Sequence, residues 1–207
     1  MESGYGKSSG EGAARENSDN NFNIIAIAAS TGGVKAISKL VSGLPSDFPA
    51  PILVIQHLSP NFESQMSKIL SKVTSLKVKP VEDGESLKKG TIYTAVPNKH
   101  IIVNPDRTIS LATLDRVHFT RPAADVTFVT LASCCRDKVI GVILTGAGQD
   151  GALGALAINR AGGKIIAQED PEVPSMPDAA IRIDDVDYIT PLAEIAPLLI
   201  NLVTMNR

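Results

Sequence analysis

The sequence is poor in the residues that build disulfide frameworks and metal centres. Its 207 residues include two cysteines, three histidines and no tryptophan. The cysteines, Cys134 and Cys135, are adjacent, and a disulfide between chain neighbours would need a strained ring, so we expect two free thiols. No two of the histidines, His57, His100 and His118, lie close enough in sequence to form a short metal-binding motif. We therefore expect no bound metal.

The sequence also lacks a charge excess and a long apolar run. Lys and Arg together number 20 and Asp and Glu 22, which gives a formal net charge of -2, so no basic field attracts nucleic acid. No apolar stretch reaches the roughly 18 residues that a membrane-spanning helix needs, and the first residues lack the order of a secretory signal. We expect a cytoplasmic protein that binds no nucleic acid and does not insert into a membrane.

The composition changes near residue 20. Residues 1–20 are rich in Gly, Ser, Glu and Asn and carry almost no large apolar side chain, so burial cannot offset the entropy lost on ordering. We interpret them as a disordered N-terminal tail. Hydrophobic residues make up 43% of the chain, and residues 21–207 are numerous enough to bury one sizeable core. The sequence predicts a single domain after the tail.

Buried strands and amphipathic helices alternate through most of this domain. Ile24 to Ala29 is a continuous apolar run, which is typical of a strand buried on both faces of a parallel sheet. A tight turn and then apolar residues at helical spacing follow it, up to residue 44. Further strands are predicted at 51–55, 139–144, 164–167 and 189–190, and further helices at 62–73, 122–135, after 151, at 176–181 and at 193–203.

The middle of the chain has a different pattern. Between residues 77 and 111, short apolar segments at 90–95, 101–103 and 108–111 are separated by turn residues, which favours antiparallel hairpin strands. Together the two patterns predict an α/β fold, namely a doubly wound, mostly parallel sheet with an antiparallel hairpin insertion.

Three polar side chains follow three of the predicted parallel strands. Ser30 ends the first strand, His57 the second, and Asp150 lies in the loop after the third of them. Since ligands of open parallel sheets bind where loops leave the carboxyl ends of strands, we expect these side chains at one edge. An imidazole activates a serine hydroxyl by accepting its proton, and a carboxylate fixes the imidazole tautomer. The sequence predicts a catalytic triad.

Glycine-containing turns adjoin the predicted triad. Gly32 and Gly33 allow a tight turn into a helix N-terminus, where unpaired N–H groups face Ser30. The turn that contains Ala147 and Gly148 supplies further N–H donors. These groups are the predicted oxyanion hole.

The same residues also have common structural roles. A serine before glycines is often a turn or cap residue, and Asp150 before Gly151 also fits a helix cap. A glycine turn between strand and helix occurs in nucleotide sites too, but this one lacks the full dinucleotide spacing and the Walker lysine, so we expect no cofactor. His100 and His118 lie away from the parallel strand ends, and we assign them surface or packing roles.

Short motifs in a fixed order give the chain a resemblance to a known family. They are Ala29-Ser30-Thr31-Gly32-Gly33, Gln56-His57, Val96-Pro97 with Lys99-His100, Arg121-Pro122-Ala123-Ala124-Asp125, Leu144-Thr145-Gly146 with Asp150-Gly151, Gln168, and Met176-Pro177 with Ala179-Ala180. Over about residues 23 to 203 they resemble the catalytic domain of the CheB chemotaxis methylesterases. The resemblance implies hydrolysis of glutamate γ-methyl esters on cytoplasmic helices of chemoreceptors, with glutamine deamidation in some members. It also implies the triad roles for Ser30, His57 and Asp150, with Thr31 and Ala147 beside them as oxyanion or substrate-binding residues.

Two departures from the family pattern leave alternatives open. Family members usually carry methionine where this chain has Ala147, although a backbone N–H donor does not depend on that side chain. The family architecture places a phosphorylatable receiver domain before the esterase, whereas a short polar tail precedes Ile24 here. Constitutive activity, control by a separate regulatory protein and action on another receptor-like system are all compatible with this pattern. The alternative to an enzyme is a non-catalytic module on the same fold that binds receptors or signalling partners.

Overall fold

The computed structural model describes residues 22–57, 64–183 and 186–205. The predicted tail, residues 1–20, lies outside the described residues, as does Phe62 of the predicted second helix. The strands are β1 (Ile24–Ala29), β2 (Ile52–Gln56), β3 (Lys77–Pro80), β4 (Thr91–Thr94), β5 (His100–Val103), β6 (Ile109–Ala112), β7 (Val139–Ile143), β8 (Lys164–Glu169) and β9 (Tyr188–Pro191). The α-helices are α1 (Gly33–Ser42), α2 (Met66–Leu70), α3 (Ala124–Cys135), α4 (Ala152–Arg160), α5 (Ser175–Arg182) and α6 (Leu192–Met205).

Seven of the described strands form one parallel sheet in the order β3-β4-β2-β1-β7-β8-β9. Strand β1 lies between β2 and β7, with Ile27 opposite Val54 on one side and Val142 on the other. The chain therefore extends the sheet in one direction from β1 and later in the other. Such a reversal creates a crevice at the carboxyl ends of the central strands. The predicted doubly wound sheet is confirmed.

Both faces of the sheet are covered, which explains the continuous apolar composition of β1. Alternate side chains of a strand point to opposite faces, and every residue of β1 is buried. Ile24, Ala26 and Ala28 join a core that contains residues of α3, α4 and α5. The intervening residues of β1 join a second core with α1, α2 and α6. Each face of the sheet thus packs against three of the described helices.

The antiparallel insertion is confirmed in a smaller form than predicted. Strands β5 and β6 form an antiparallel pair with Ile101 opposite Leu111. The assignment of 90–95 to the insertion was wrong, because β4 pairs in parallel with both β2 and β3. Its residues are all buried, as in the other central strands. Turn residues around a four-residue strand hid this pairing, since the partner Ile52 of Ile92 lies far away in sequence.

Other predicted features agree with the structure. Cys134 and Cys135 are free thiols at the end of α3, as predicted. Strand β3, at the sheet edge and partly exposed, was not predicted. Within the described ranges, the helices lack the length and apolar composition that would take one across a bilayer.

Candidate active site

Ser30, His57 and Asp150 belong to loops at the same edge of the sheet. Ser30 directly follows β1, His57 directly follows β2, and Asp150 lies in the loop between β7 and α4. The parallel register sets Ala29 opposite Gln56, so Ser30 and His57 are the next residues on two adjacent chains. The His57 N–H donates to the Ala29 carbonyl at 3.1 Å, which extends the pairing by one residue. The sheet topology thus brings distant parts of the sequence to one crevice.

A short contact joins His57 to Asp150. The imidazole Nε2 lies 2.7 Å from Oδ2 of Asp150. The side chain of Asp150 is 1% exposed and that of His57 is 15% exposed, so the carboxylate is buried while the imidazole reaches solvent. Since Nε2 faces the carboxylate, Nδ1 is the ring nitrogen that remains to accept a proton from another group.

The N-terminus of helix α3 holds the Asp150 carboxylate. The Ala124 N–H donates to Oδ2 at 2.6 Å and the Asp125 N–H donates to Oδ1 at 3.0 Å. These are the first two residues of α3, where backbone N–H groups have no partner inside the helix. Burial raises the pKa of Asp150, but the hydrogen bonds from His57, Asp125 and Ala124 outweigh it and hold this pKa below its usual value. Asp150 is therefore an anion at neutral pH, next to the imidazole that it orients.

Ser30 is fixed by hydrogen bonds of its backbone. Its N–H donates to the Thr145 carbonyl at 3.0 Å, and its carbonyl accepts from the Gly33 N–H at 2.9 Å. The Gln56 side-chain amide also donates to the Ser30 carbonyl, at 2.8 Å. Among the described residues, the Ser30 hydroxyl has no hydrogen bond to His57. The structure shows the His–Asp pair, and strand register sets the serine beside it.

Four of the predicted oxyanion donors have unengaged backbone N–H groups. Over the described ranges, no hydrogen bond uses the N–H of Thr31, Gly32, Ala147 or Gly148. Gly32 has a φ of 80°, a left-handed conformation that favours glycine. The Gly33 N–H, also predicted as a donor, is already bound to the Ser30 carbonyl. The two turns can therefore present N–H donors to an anion, in the manner of an oxyanion hole.

Thr145 and Gly146 join the loop after β7 to the turn that carries Ser30. The Thr145 hydroxyl donates to the Thr31 carbonyl at 3.1 Å and accepts from the Val173 N–H at 2.9 Å. A Cβ on Gly146 would lie 2.2 Å from Sδ of Met176 and 2.9 Å from Cβ of Ser30. Only a residue without a side chain fits this close approach, so Gly146 determines how near the two loops come.

An open cavity of about 420 Å³ adjoins the Gly32 turn. Its lining includes Gly32, Thr145 and two lysines of α1, Lys35 and Lys39. Both lysines are exposed, and no ion pair involves them within the described part of the chain. Their charges favour an anionic molecule beside Ser30, although Glu172 also lines the cavity.

The other two histidines do not reach His57 or Ser30 through any described hydrogen bond. His100 is fully buried, with Nδ1 accepting from the Ala123 N–H at 3.2 Å and Nε2 donating to the Asp115 carbonyl at 3.0 Å. This is the packing role predicted for it. His118 contacts Asp125, with Nε2 2.8 Å from Oδ2.

In the part of the chain that the structure describes, His118, Asp125 and Asp150 form the group whose donor atoms are near enough to hold a cation, all within 4.8 Å of one another. Each of the four carboxylate oxygens already accepts at least one N–H, from His57, His118 or the backbone. Hydrogen bonding thus accounts for this cluster, and the absence of a metal stays a prediction.

Sequence reasoning assigned no individual role to three residues that organise this edge, although the family motifs contain them. They are Gln56, which holds the Ser30 carbonyl, Thr145, which joins two loops, and Asp125, whose N–H binds Asp150. A signal existed for the first two, because Gln56 is the polar last residue of the otherwise apolar β2, and Thr145 directly follows the apolar run at 139–144. The role of Asp125 has no local signal, since it depends on contacts with residues 25 and 29 positions later in the chain.

Comparison with known proteins agrees with the geometry. The sequence model of the CheB methylesterase family matches residues 25–199. A Leptospira interrogans protein is 40% identical over 185 residues, which are 88% of this chain and 95% of the relative. A Pyrococcus horikoshii protein named protein-glutamate methylesterase/protein-glutamine glutaminase is 36% identical, over 88% of this chain and 51% of its own length. The crystal structure of the Thermotoga maritima CheB methylesterase catalytic domain superposes with a TM-score of 0.85 at 36% identity, covering 88% of this chain and 99% of that one.

Proposed function

Because this chain belongs to the CheB methylesterase family, we propose that it is a protein-glutamate methylesterase whose catalytic triad is Ser30, His57 and Asp150. The observation that carries the proposal is the 2.7 Å contact between His57 and Asp150, one strand away from Ser30. The names of the Pyrococcus horikoshii and Thermotoga maritima relatives support the activity.

The chemistry follows from the roles of the three groups. Nδ1 of His57 accepts the Ser30 proton as the hydroxyl oxygen attacks the ester carbonyl carbon. The tetrahedral intermediate collapses, and the imidazolium returns the proton to the departing methoxide, which leaves as methanol. A water molecule, deprotonated by the same imidazole, then attacks the acyl-serine. The imidazolium returns this proton to the departing Ser30 oxygen, and the glutamate carboxylate is released. Asp150 stabilises the imidazolium and does not itself take up the proton.

Backbone N–H groups stabilise the negative charge that develops on the carbonyl oxygen. We assign this role to the unengaged donors of Thr31, Gly32, Ala147 and Gly148, while Gly33 shapes the turn. Removing one such donor typically costs about 3 to 4 kcal/mol of transition-state stabilisation. Because the donor at Ala147 is a backbone group, the alanine side chain is compatible with this role.

The proposed substrates are glutamate γ-methyl esters on cytoplasmic helices of chemoreceptors, which would place the enzyme in the cytoplasm. Hydrolysis leaves one more negative charge per ester, and like charges on neighbouring helix positions repel. Lys35 and Lys39 beside the Gly32 turn suit a substrate helix that already carries carboxylates. A glutamine side chain would form the same acyl-serine with loss of ammonia, so deamidation is included in the proposal. A separate regulatory protein is a further proposed partner.

The decisive experiment compares methanol release from methylated receptor fragments by the wild type, Ser30→Ala and Ser38→Ala. Ser38 lies about one and a half turns into α1, and its hydroxyl donates to the Val34 carbonyl within the same helix, so its variant should match the wild type. Loss of the nucleophile should lower kcat by about 10⁴-fold or more. Equal rates for Ser30→Ala and wild type would reject the nucleophile.

A serine-reactive fluorophosphonate separates an enzyme from a non-catalytic binding module. Labelling at Ser30 that disappears in His57→Ala requires an activated hydroxyl. A wild-type protein that binds receptors but neither labels nor releases methanol, with or without a phosphorylated partner protein, would instead support the binding module.

A further inference from the structure

A second histidine–carboxylate pair lies directly beside the first. Nε2 of His118 is 2.8 Å from Oδ2 of Asp125, and Oδ1 of Asp125 accepts the Gly154 N–H at 2.7 Å. The side chain of Asp125 is 7% exposed and that of His118 is 25% exposed. Both oxygens of the buried Asp125 carboxylate thus accept hydrogen bonds. Among the described residues, neither oxygen is hydrogen-bonded to Ser30 or His57.

Asp125 connects the two elements on either side of Asp150. Its own N–H, in the first turn of α3, donates to Oδ1 of Asp150 at 3.0 Å. Gly154, which Asp125 binds through its side chain, lies in the first turn of α4, which begins two residues after Asp150. The orientation of the Asp150 carboxylate therefore depends on how firmly Asp125 ties α3 to α4.

The hydrogen bond from His118 offsets part of the free-energy cost of burying the Asp125 carboxylate beside Asp150. Burial raises the pKa of Asp125, and the negative charge of Asp150 raises it further, whereas the hydrogen bonds from Gly154 and His118 oppose the rise. A buried carboxylate beside another one is costly unless hydrogen bonds stabilise it. Without the imidazole, the Asp125 carboxylate would lose the hydrogen bond to Oδ2, and its position would be less firmly fixed.

We propose that His118 and Asp125 form a positioning pair that fixes the Asp150 carboxylate in the orientation in which it binds His57. The inference rests on the proposed function, because Asp150 matters here as the partner of a catalytic imidazole. Neither member of the pair touches the substrate, and their effect on catalysis passes through Asp150.

The test measures the pKa of the His57 imidazole by NMR titration, together with kcat and KM. The variants are His118→Asn, His118→Gln and Asp125→Asn. Asparagine suits position 118, since His118 has a φ of 50° and asparagine tolerates the left-handed region, while glutamine restores a longer side chain with an N–H donor. Lys164→Gln is the matched control, because it removes a 2.7 Å ion pair with Asp187 at the opposite edge of the sheet.

Weaker positioning of Asp150 should withdraw the anion that stabilises the His57 imidazolium. We expect His118→Asn and Asp125→Asn to lower the pKa of His57 and to lower kcat on the order of tenfold, with KM nearly unchanged. His118→Gln should recover part of both losses, and Lys164→Gln should match the wild type.

A purely structural role would give a different result. A lower thermal midpoint with an unchanged pKa of His57 in both His118→Asn and Asp125→Asn would overturn the proposal. A wild type that releases no methanol would reject the proposed function instead, and the titration of His57 would still decide whether the pair positions Asp150.

Discussion

At the residue scale, the site depends on how Asp150 is bound as much as on its presence. The sequence predicted Ser30, His57 and Asp150 because polar residues that end parallel strands converge on one edge. It could not predict that Asp150 is held by the N–H groups of Ala124 and Asp125. Those contacts join residues from separate elements, and no local pattern encodes them.

Asp150→Asn should separate the charge of this residue from its shape. If the amide NH₂ group faces Nε2 of His57, it favours the wrong imidazole tautomer. If it faces the N–H groups of α3 instead, it loses the hydrogen bonds that hold the side chain. We expect kcat for methanol release to fall roughly 10⁴-fold, as in comparable triads. Asp106→Asn is the control, because the Asp106 carboxylate accepts hydrogen bonds from Thr108 in an exposed turn. An Asp150→Asn enzyme that retains a tenth of the wild-type kcat would contradict the triad.

At the scale of elements, the loop between β7 and α4 approaches the turn between β1 and α1 at Ser30. Periodicity predicted α1, α3 and the strands that carry the site, because each buries a continuous apolar face. Periodicity assigned β4 to the wrong sheet, because a pattern of four residues between turns does not indicate which strand they pair with. The approach of the β7–α4 loop to the turn after β1 was equally hidden, because it depends on Gly146 having no side chain.

Gly146→Ala should disturb the site more than the fold. The added Cβ would meet the flexible Met176 side chain and also the backbone nitrogen of Ser30, at 2.9 Å, so Ser30 must move. A displacement near 1 Å can cost about 100-fold in rate, and we expect a loss of this order in kcat. Gly43→Ala adds a milder contact, 3.0 Å from Ala196, far along α1 from Ser30. It should change the thermal midpoint without changing kcat, and equal kcat for the two variants would exclude this role of Gly146.

At the scale of the whole molecule, His100 joins the hairpin to the main domain. It lies at the start of β5, and its ring bridges the Asp115 carbonyl and the N–H of Ala123. Ala123 precedes the two residues whose N–H groups bind Asp150. The neutral ring fits both partners, whereas a protonated ring would direct an N–H at the N–H of Ala123. The attachment of the hairpin is therefore sensitive to acid.

The hydrogen bonds of the neutral His100 ring predict that the free energy of unfolding depends on pH. Burial is the main factor that lowers the pKa of His100, the Arg121 charge adds to it, and the Asp115 carbonyl and Asp150 oppose it. As the pH falls below about 6.5, the unfolded chain takes up the proton before the folded protein does, so the free energy of unfolding decreases until the folded-state pKa is reached. Each unit by which the folded-state pKa is lowered corresponds to about 1.4 kcal/mol of this loss.

Urea unfolding of the wild type, His100→Gln and Lys99→Gln at several pH values between 7.5 and 5 would measure this dependence. His100→Gln should be less stable than the wild type at pH 7.5, because one buried hydrogen bond is lost, yet its stability should decrease less as the pH falls. Lys99→Gln removes only the neighbouring contact with Thr113, 2.7 Å long, and should keep the wild-type slope. All three proteins share His57 and His118, so the difference in slope belongs to His100. Parallel curves for the wild type and His100→Gln would show that another group causes the acid sensitivity.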